Sequence, residues 1–123
     1  ISGGERQLVL IARALAQGAP LGVMDEPTAS LDFGNQVRVL AEVRSLAASG
    51  IGVMMATHDP DQAFLCADRV ALLHGGRLVA DAPPREAITP ETLREVYGVD
   101  AAVVDVPLPD GGSRRVCVPA QGR

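Results

Sequence analysis

Apolar positions early in the chain follow a helical spacing. Leu8, Ile11, Ala12 and Leu15 fall three or four residues apart behind Ser2 and Glu5, which stand in the order of a capping box. The pattern predicts an amphipathic helix over about 5–17, ended by Gly18 and Pro20. Leu21 to Met24 then run apolar into two carboxylates, Asp25 and Glu26, and Pro27 stops further pairing, which predicts a short buried strand. A second helix is expected over about 34–48, with Val37, Leu40 and Ala47 on one side and Ser49-Gly50 closing it. Ile51 to Thr57 form another apolar run, ending at His58, Asp59 and Pro60. Strand, helix and strand in that order make a βαβ unit, whose crossover implies parallel strands buried on both faces. Asp25, Glu26 and His58 then sit at carboxyl ends of strands, where open parallel sheets place their ligands.

Further along, a short helix is expected over about 60–66. A hairpin follows, with strands over 69–73 and 77–80 joined by Gly75-Gly76. Pro83-Pro84 marks a boundary between segments 1–82 and 83–123. Beyond it, Thr89 is placed to cap a helix that opens with Pro90 and Glu91 and ends near Gly98. Two strands are expected in 102–118 around Pro109 to Gly112. The fold class is therefore α/β, a parallel sheet with flanking helices, followed by a small α+β segment.

Composition removes several functions. The 123 residues carry 11 Arg, no Lys and 15 Asp plus Glu, a net charge of -4, so there is no basic footprint for nucleic acid. No apolar run approaches the roughly 18 residues that span a bilayer. Cys66 and Cys117 have no neighbours at metal-ligand spacing and read as two reduced thiols. The chain opens at Ile1 directly into Ser2-Gly3-Gly4-Glu5, which is read as the middle of a longer protein.

Single motifs are weak. A Ser-Gly-Gly helix start can meet an anion with backbone N–H groups, an Asp-Glu pair after a strand can serve a cation and activate a water, and one histidine at a strand end is commonly a packing residue. Together they carry more. The ordered series Ile1-Ser2-Gly3-Gly4-Glu5-Arg6-Gln7, Met24-Asp25-Glu26-Pro27-Thr28, Ser30-Leu31-Asp32 and Thr57-His58-Asp59 closely resembles the second half of an ABC-type nucleotide-binding domain. Ser2 to Gln7 match its signature motif, Leu21 to Glu26 its Walker B strand, Ala29 to Asp32 its D-loop and His58 its switch histidine. Departures are small: Ile1 stands where Leu is usual and Gly22 interrupts the aliphatic strand.

The resemblance implies a partial P-loop NTPase fold that lacks the phosphate-loop half, with ATP and Mg²⁺ as nucleotide and ion. It implies that Glu26 is the general base, that Asp25 supports Mg²⁺ through water, that His58 contacts the γ-phosphate and that Asp32 couples two sites. Ser2, Gly3, Gly4, Glu5 and Gln7 would act in trans, on the ATP of a second ATPase subunit in a head-to-tail dimer. The segment from Thr89 to Val99 resembles the C-terminal part of ATPases that serve iron-siderophore, haem and cobalamin importers. That implies transmembrane permease partners, no direct nucleic-acid partner, and a place on the cytoplasmic face of the inner membrane. Non-transport ABC ATPases that remodel nucleic acid or ribosomes, and a non-catalytic truncated product, are the alternatives.

Because the phosphate-binding loop needs a lysine and this chain has none, the chain alone is expected to be inactive. The resemblance also places a phosphate-loop strand between the strand ending at His58 and the strand at 69–73. Without it the sheet is expected to be open in the middle, marginally stable and prone to associate.

Overall fold

The computed structural model describes residues 6–12 and 20–120, and within them the first element is a strand rather than a helix. Strand β1, Arg6–Ile11, lies between β3, Gly52–Thr57, and β4, Arg69–His74, antiparallel to both. This corrects two expectations at once: the helix over 5–17 is not formed at 6–11, and the middle of the sheet is not open. The physical reason is visible in the burial. Leu8 and Leu10 are both fully buried, two residues apart on one face of a strand, where a helix would turn them about 200° from each other. Leu8 pairs with Thr57 on one side and Leu72 on the other, and Leu10 with Met55 and Val70. Two unbroken buried rows thus cross the three strands, and backbone groups that would otherwise be orphaned are paired. Propensity over a dozen residues yields to that tertiary gain.

The sheet order is β2-β3-β1-β4-β5, with β2 at Leu21–Asp25 and β5 at Arg77–Ala82. Only β2 and β3 run parallel, so the expected α/β class holds with a mixed sheet in place of a parallel one. Burial on both faces is corrected as well. Along β2 the side chains alternate, Met24 toward the core while Leu21 and Val23 are 49% and 71% exposed, because the core rows lie on one face only.

Helix α1, Phe33–Ala48, begins at Asp32, whose carboxylate accepts from the Asn35 N–H at 2.8 Å, and buries Leu40, Val43 and Ala47. Arg44 on this helix donates to the carbonyls of Ala12 at 2.7 Å and Cys66 at 3.0 Å and to Asp68 at 3.2 Å. It joins the end of β1 to the last turn of α2, Pro60–Cys66, where a cation also suits the helix dipole. The β4-β5 hairpin turns on Gly75 and Gly76 at φ of +60° and +74°, the left-handed pair that a two-residue turn requires.

Past the hairpin, Pro84 opens a short helix α3, Pro84–Ala87, so the proline pair starts an element as well as ending one. Helix α4, Pro90–Tyr97, has the expected cap: the Thr89 hydroxyl accepts from the Thr92 N–H, and Gly98 closes it at φ +70°. Strands β6, Ala101–Pro107, and β7, Ser113–Pro119, form a separate antiparallel pair around the anticipated turn. No helix among the described residues is long and apolar enough to cross a membrane.

Candidate active site

Parallel pairing of β2 with β3 sets the carboxyl ends of both strands side by side, with Asp25 opposite Ala56. The ladder continues one residue further, as the Glu26 N–H donates to the Ala56 carbonyl at 2.8 Å. Pro27 then stops it, and two turns follow, closed by Ala29 N–H to the Glu26 carbonyl at 3.1 Å and Leu31 N–H to the Thr28 carbonyl at 3.2 Å. Glu26 and Ser30 take positive φ, 49° and 66°, which is rare for residues with a Cβ. Such strain is held where the surroundings over-determine it, commonly at functional turns.

At the end of β3 the chain turns into α2. Thr57 accepts from the Asp59 N–H at 3.2 Å and the Asp59 carboxylate accepts from the Asp61 N–H at 3.0 Å, leaving His58 projecting between two fixed residues. Burial pushes the Asp59 carboxyl above its ordinary value; the bond from Asp61 works against that rise and the Asp61 charge adds to it.

The two turns bring Glu26 and His58 together. His58 Nδ1 lies 3.0 Å from Glu26 Oε2, with half of the imidazole exposed. The contact is not aligned as a hydrogen bond, so Oε2, itself buried, has no hydrogen-bond partner among the described residues. Both residues line a cavity of about 400 Å³ with Thr28, Ser30, Thr57 and Gln62. A partly exposed carboxylate beside an imidazole at an open recess is suited to take a proton from water.

The other residues singled out in the sequence are placed less closely. Asp25 ends β2 with its side chain exposed. Asp32 caps α1 beyond the second turn. Ser2, Gly3, Gly4 and Glu5 lie outside the described residues, and Gln7 falls in β1 opposite Leu73. Among the described residues no three His, Cys, Asp or Glu side chains gather into a cation cage. Asp25, exposed at the end of β2, fits an ion that keeps most of its waters and binds phosphate oxygens, which is the habit of Mg²⁺.

Gln62 and Tyr97 escaped the sequence reading. Gln62 Nε2 donates to the Thr28 hydroxyl at 2.8 Å, and the Tyr97 hydroxyl donates to the His58 carbonyl at 3.3 Å. A glutamine in a seven-residue helix carries no motif that would have marked it, and Tyr97, although inside the segment from Thr89 to Val99, has no sequence link to His58.

The two cysteines are free thiols, as expected. Burial pushes Cys66 up to about 11 and, with Asp61 beside it, Cys117 up to about 12. Since only the thiolate attacks, both should react with iodoacetamide at pH 8 at least about a hundredfold more slowly than a thiol of ordinary pKa, about 8.5. Rates equal to that of free cysteine, followed by mass spectrometry, would contradict the burial.

No protein-family model matches the chain. It is 46% identical over 97 residues to an uncharacterized ABC transporter ATP-binding protein of Haemophilus influenzae, covering 79% of this chain and 37% of that protein. It is 46% identical over 120 residues to the cobalamin import ATP-binding protein BtuD of Halobacterium salinarum, covering 89% of this chain and 30% of the other. With the hemin import ATP-binding protein HmuV of Nocardia farcinica it shares 44% identity over 108 residues, 88% of this chain and 38% of that one. Among solved structures, a transporter described as of the metal-chelate ABC type, in an inward-facing conformation, matches with a TM-score of 0.74 and 27% identity over 83% of this chain and 40% of its own. The chain thus spans well under half the length of these relatives. Agreement of sequence and fold along most of its residues makes this chain a homologue of the ABC transporter ATP-binding proteins, matching a part of their length.

Proposed function

We propose that the chain supplies the hydrolytic half of an ATP-hydrolysing subunit that powers an ABC importer for iron-siderophore, haem or cobalamin. The observation that carries this is the Glu26-His58 pair, 3.0 Å apart on adjacent strand ends above an open cavity; the names of the relatives, cobalamin and hemin import proteins, support the substrate class.

In this reading Glu26, whose side chain is partly exposed beside the cavity, takes the proton of the attacking water. His58 has Nδ1 turned toward Glu26 and keeps Nε2 for an oxygen of the γ-phosphate, over whose oxygens charge is spread in the transition state. Asp25 would hold Mg²⁺ through water, and the ion, when bound with ATP, would neutralise phosphate charge. Asp32, at the head of α1, couples this site to the second one of a head-to-tail dimer. Ser2, Gly3, Gly4, Glu5 and Gln7 serve the nucleotide of the partner subunit, and permease subunits hold the pair at the cytoplasmic face of the inner membrane.

This chain by itself does not turn ATP over in this reading, because no lysine is available to cradle the β- and γ-phosphates. Equilibrium dialysis of the chain against Mg-ATP should show no binding at micromolar concentration, and hydrolysis should follow only when the sequence is joined to a phosphate-binding loop. Micromolar binding by the chain alone, or no hydrolysis by the joined protein, would overturn the reading.

A further inference from the structure

Glu26 and His58 sit on separate turns, and a half-exposed pair of this kind does not hold itself in place. Their spacing has to be set by what ties the turns together. Beyond the strand ladder, which ends at Glu26, a side-chain tie is present. Gln62, on the first turn of α2, is only 6% exposed, and its Nε2 donates across 34 positions of sequence to Thr28 Oγ1 at 2.8 Å. Thr28 is 5% exposed and stands two residues after Glu26, inside the turn that carries it. Burying a glutamine and a threonine in contact serves no hydrophobic purpose, and the contact is worth keeping only if both partners stay bonded. Gln62 Oε1 has no hydrogen-bond partner among the described residues, and the residue lines the same cavity as Glu26 and His58.

We propose that Gln62 is a positioning residue, which through Thr28 fixes the turn of Glu26 against the turn of His58. The structural claim stands on the geometry alone; its bearing on hydrolysis rests on the function proposed above.

The test uses the whole 123-residue chain. The carboxyl ¹³C resonance of Glu26 is recorded with and without His58→Gln, and the shift between the two measures how closely the imidazole sits. Gln62→Met and Thr28→Val remove the tie with little change of volume, and each should cut that shift by about half or more, with the double variant no worse than either single one. Thr28→Ser, which keeps the hydroxyl, should restore it. Should Gln62→Met fail to fold, Thr28→Val reads the same bond from its other end on an irregular turn. An undiminished shift in a folded Gln62→Met or Thr28→Val chain, or no recovery in Thr28→Ser, would overturn the proposal. Loss of the hydrolytic reading would show itself separately, in turnover, and would leave the resonance shift unchanged.

Discussion

Glu26→Gln is expected to lower ATP turnover by about 10²- to 10⁴-fold in a protein that joins this sequence to a phosphate-binding loop, the range that a positioned general base contributes. Glutamine keeps the shape and the backbone turn but cannot accept the water's proton at neutral pH. Its amide would also face His58 Nδ1, now 3.0 Å from a carboxylate oxygen, with no charge to attract it. Nucleotide binding depends on other groups and should persist, leaving ATP held in the closed pair of subunits. Steady-state hydrolysis and nucleotide retention measured on one preparation separate these effects: a fall in kcat with retained binding marks loss of the base, since an interaction made only in the transition state affects kcat. Turnover near the normal rate would return Glu26 to an ordinary turn residue.

How far this site could be read beforehand depended on the range of the interactions involved. Asp25, Glu26 and His58 announced themselves because each follows an apolar run that ends at a proline, and such runs become strands whose ends meet whenever the crossover is right-handed and short. Helix α1 was legible from the spacing of Val37, Leu40 and Ala47, and the α4 cap because Thr89 acts within three residues of itself. Gln62 and Thr28 did not show, since their bond spans 34 residues and neither belongs to a pattern. The hairpin at Gly75-Gly76 was fixed by local φ requirements alone.

The helix assigned to 5–17, of which 5 and 13–17 lie outside the described residues, failed at 6–11 for the opposite reason. A capping pair and four apolar residues at helical spacing are a local argument, and Leu8 to Ala12 form a continuous apolar run that satisfies a buried strand equally well. What decides between them is the neighbourhood, here β3 and β4 with their facing edges. The same consideration explains why the sheet is mixed. A parallel β1 would have needed a crossover connection, whereas an antiparallel one pairs with both neighbours in a register that sets Leu8 against Thr57 and Leu72.

The two arrangements of this segment make opposite stability predictions, and the contrast is large. With 6–11 as the strand β1, Leu10→Ala removes a side chain that is 1% exposed in the row between Met55 and Val70, and should cost about 2–5 kcal/mol. Ile11 points to the opposite, less covered face of the sheet, so Ile11→Ala should cost distinctly less. With 5–17 as a helix the order reverses, because Ile11 shares the apolar face with Leu8, Ala12 and Leu15 while Leu10 lies off it. Urea denaturation of both variants, compared at equal m-value, reads the difference directly. A domain of this size has about 5–15 kcal/mol in all, so Leu10→Ala at the upper end of its range would leave the chain with little cooperative folding while Ile11→Ala still unfolds sharply. The reverse order would mean that the central slot of the sheet is not held by Arg6–Ile11, and that β3 and β4 face each other's edges without a strand between them.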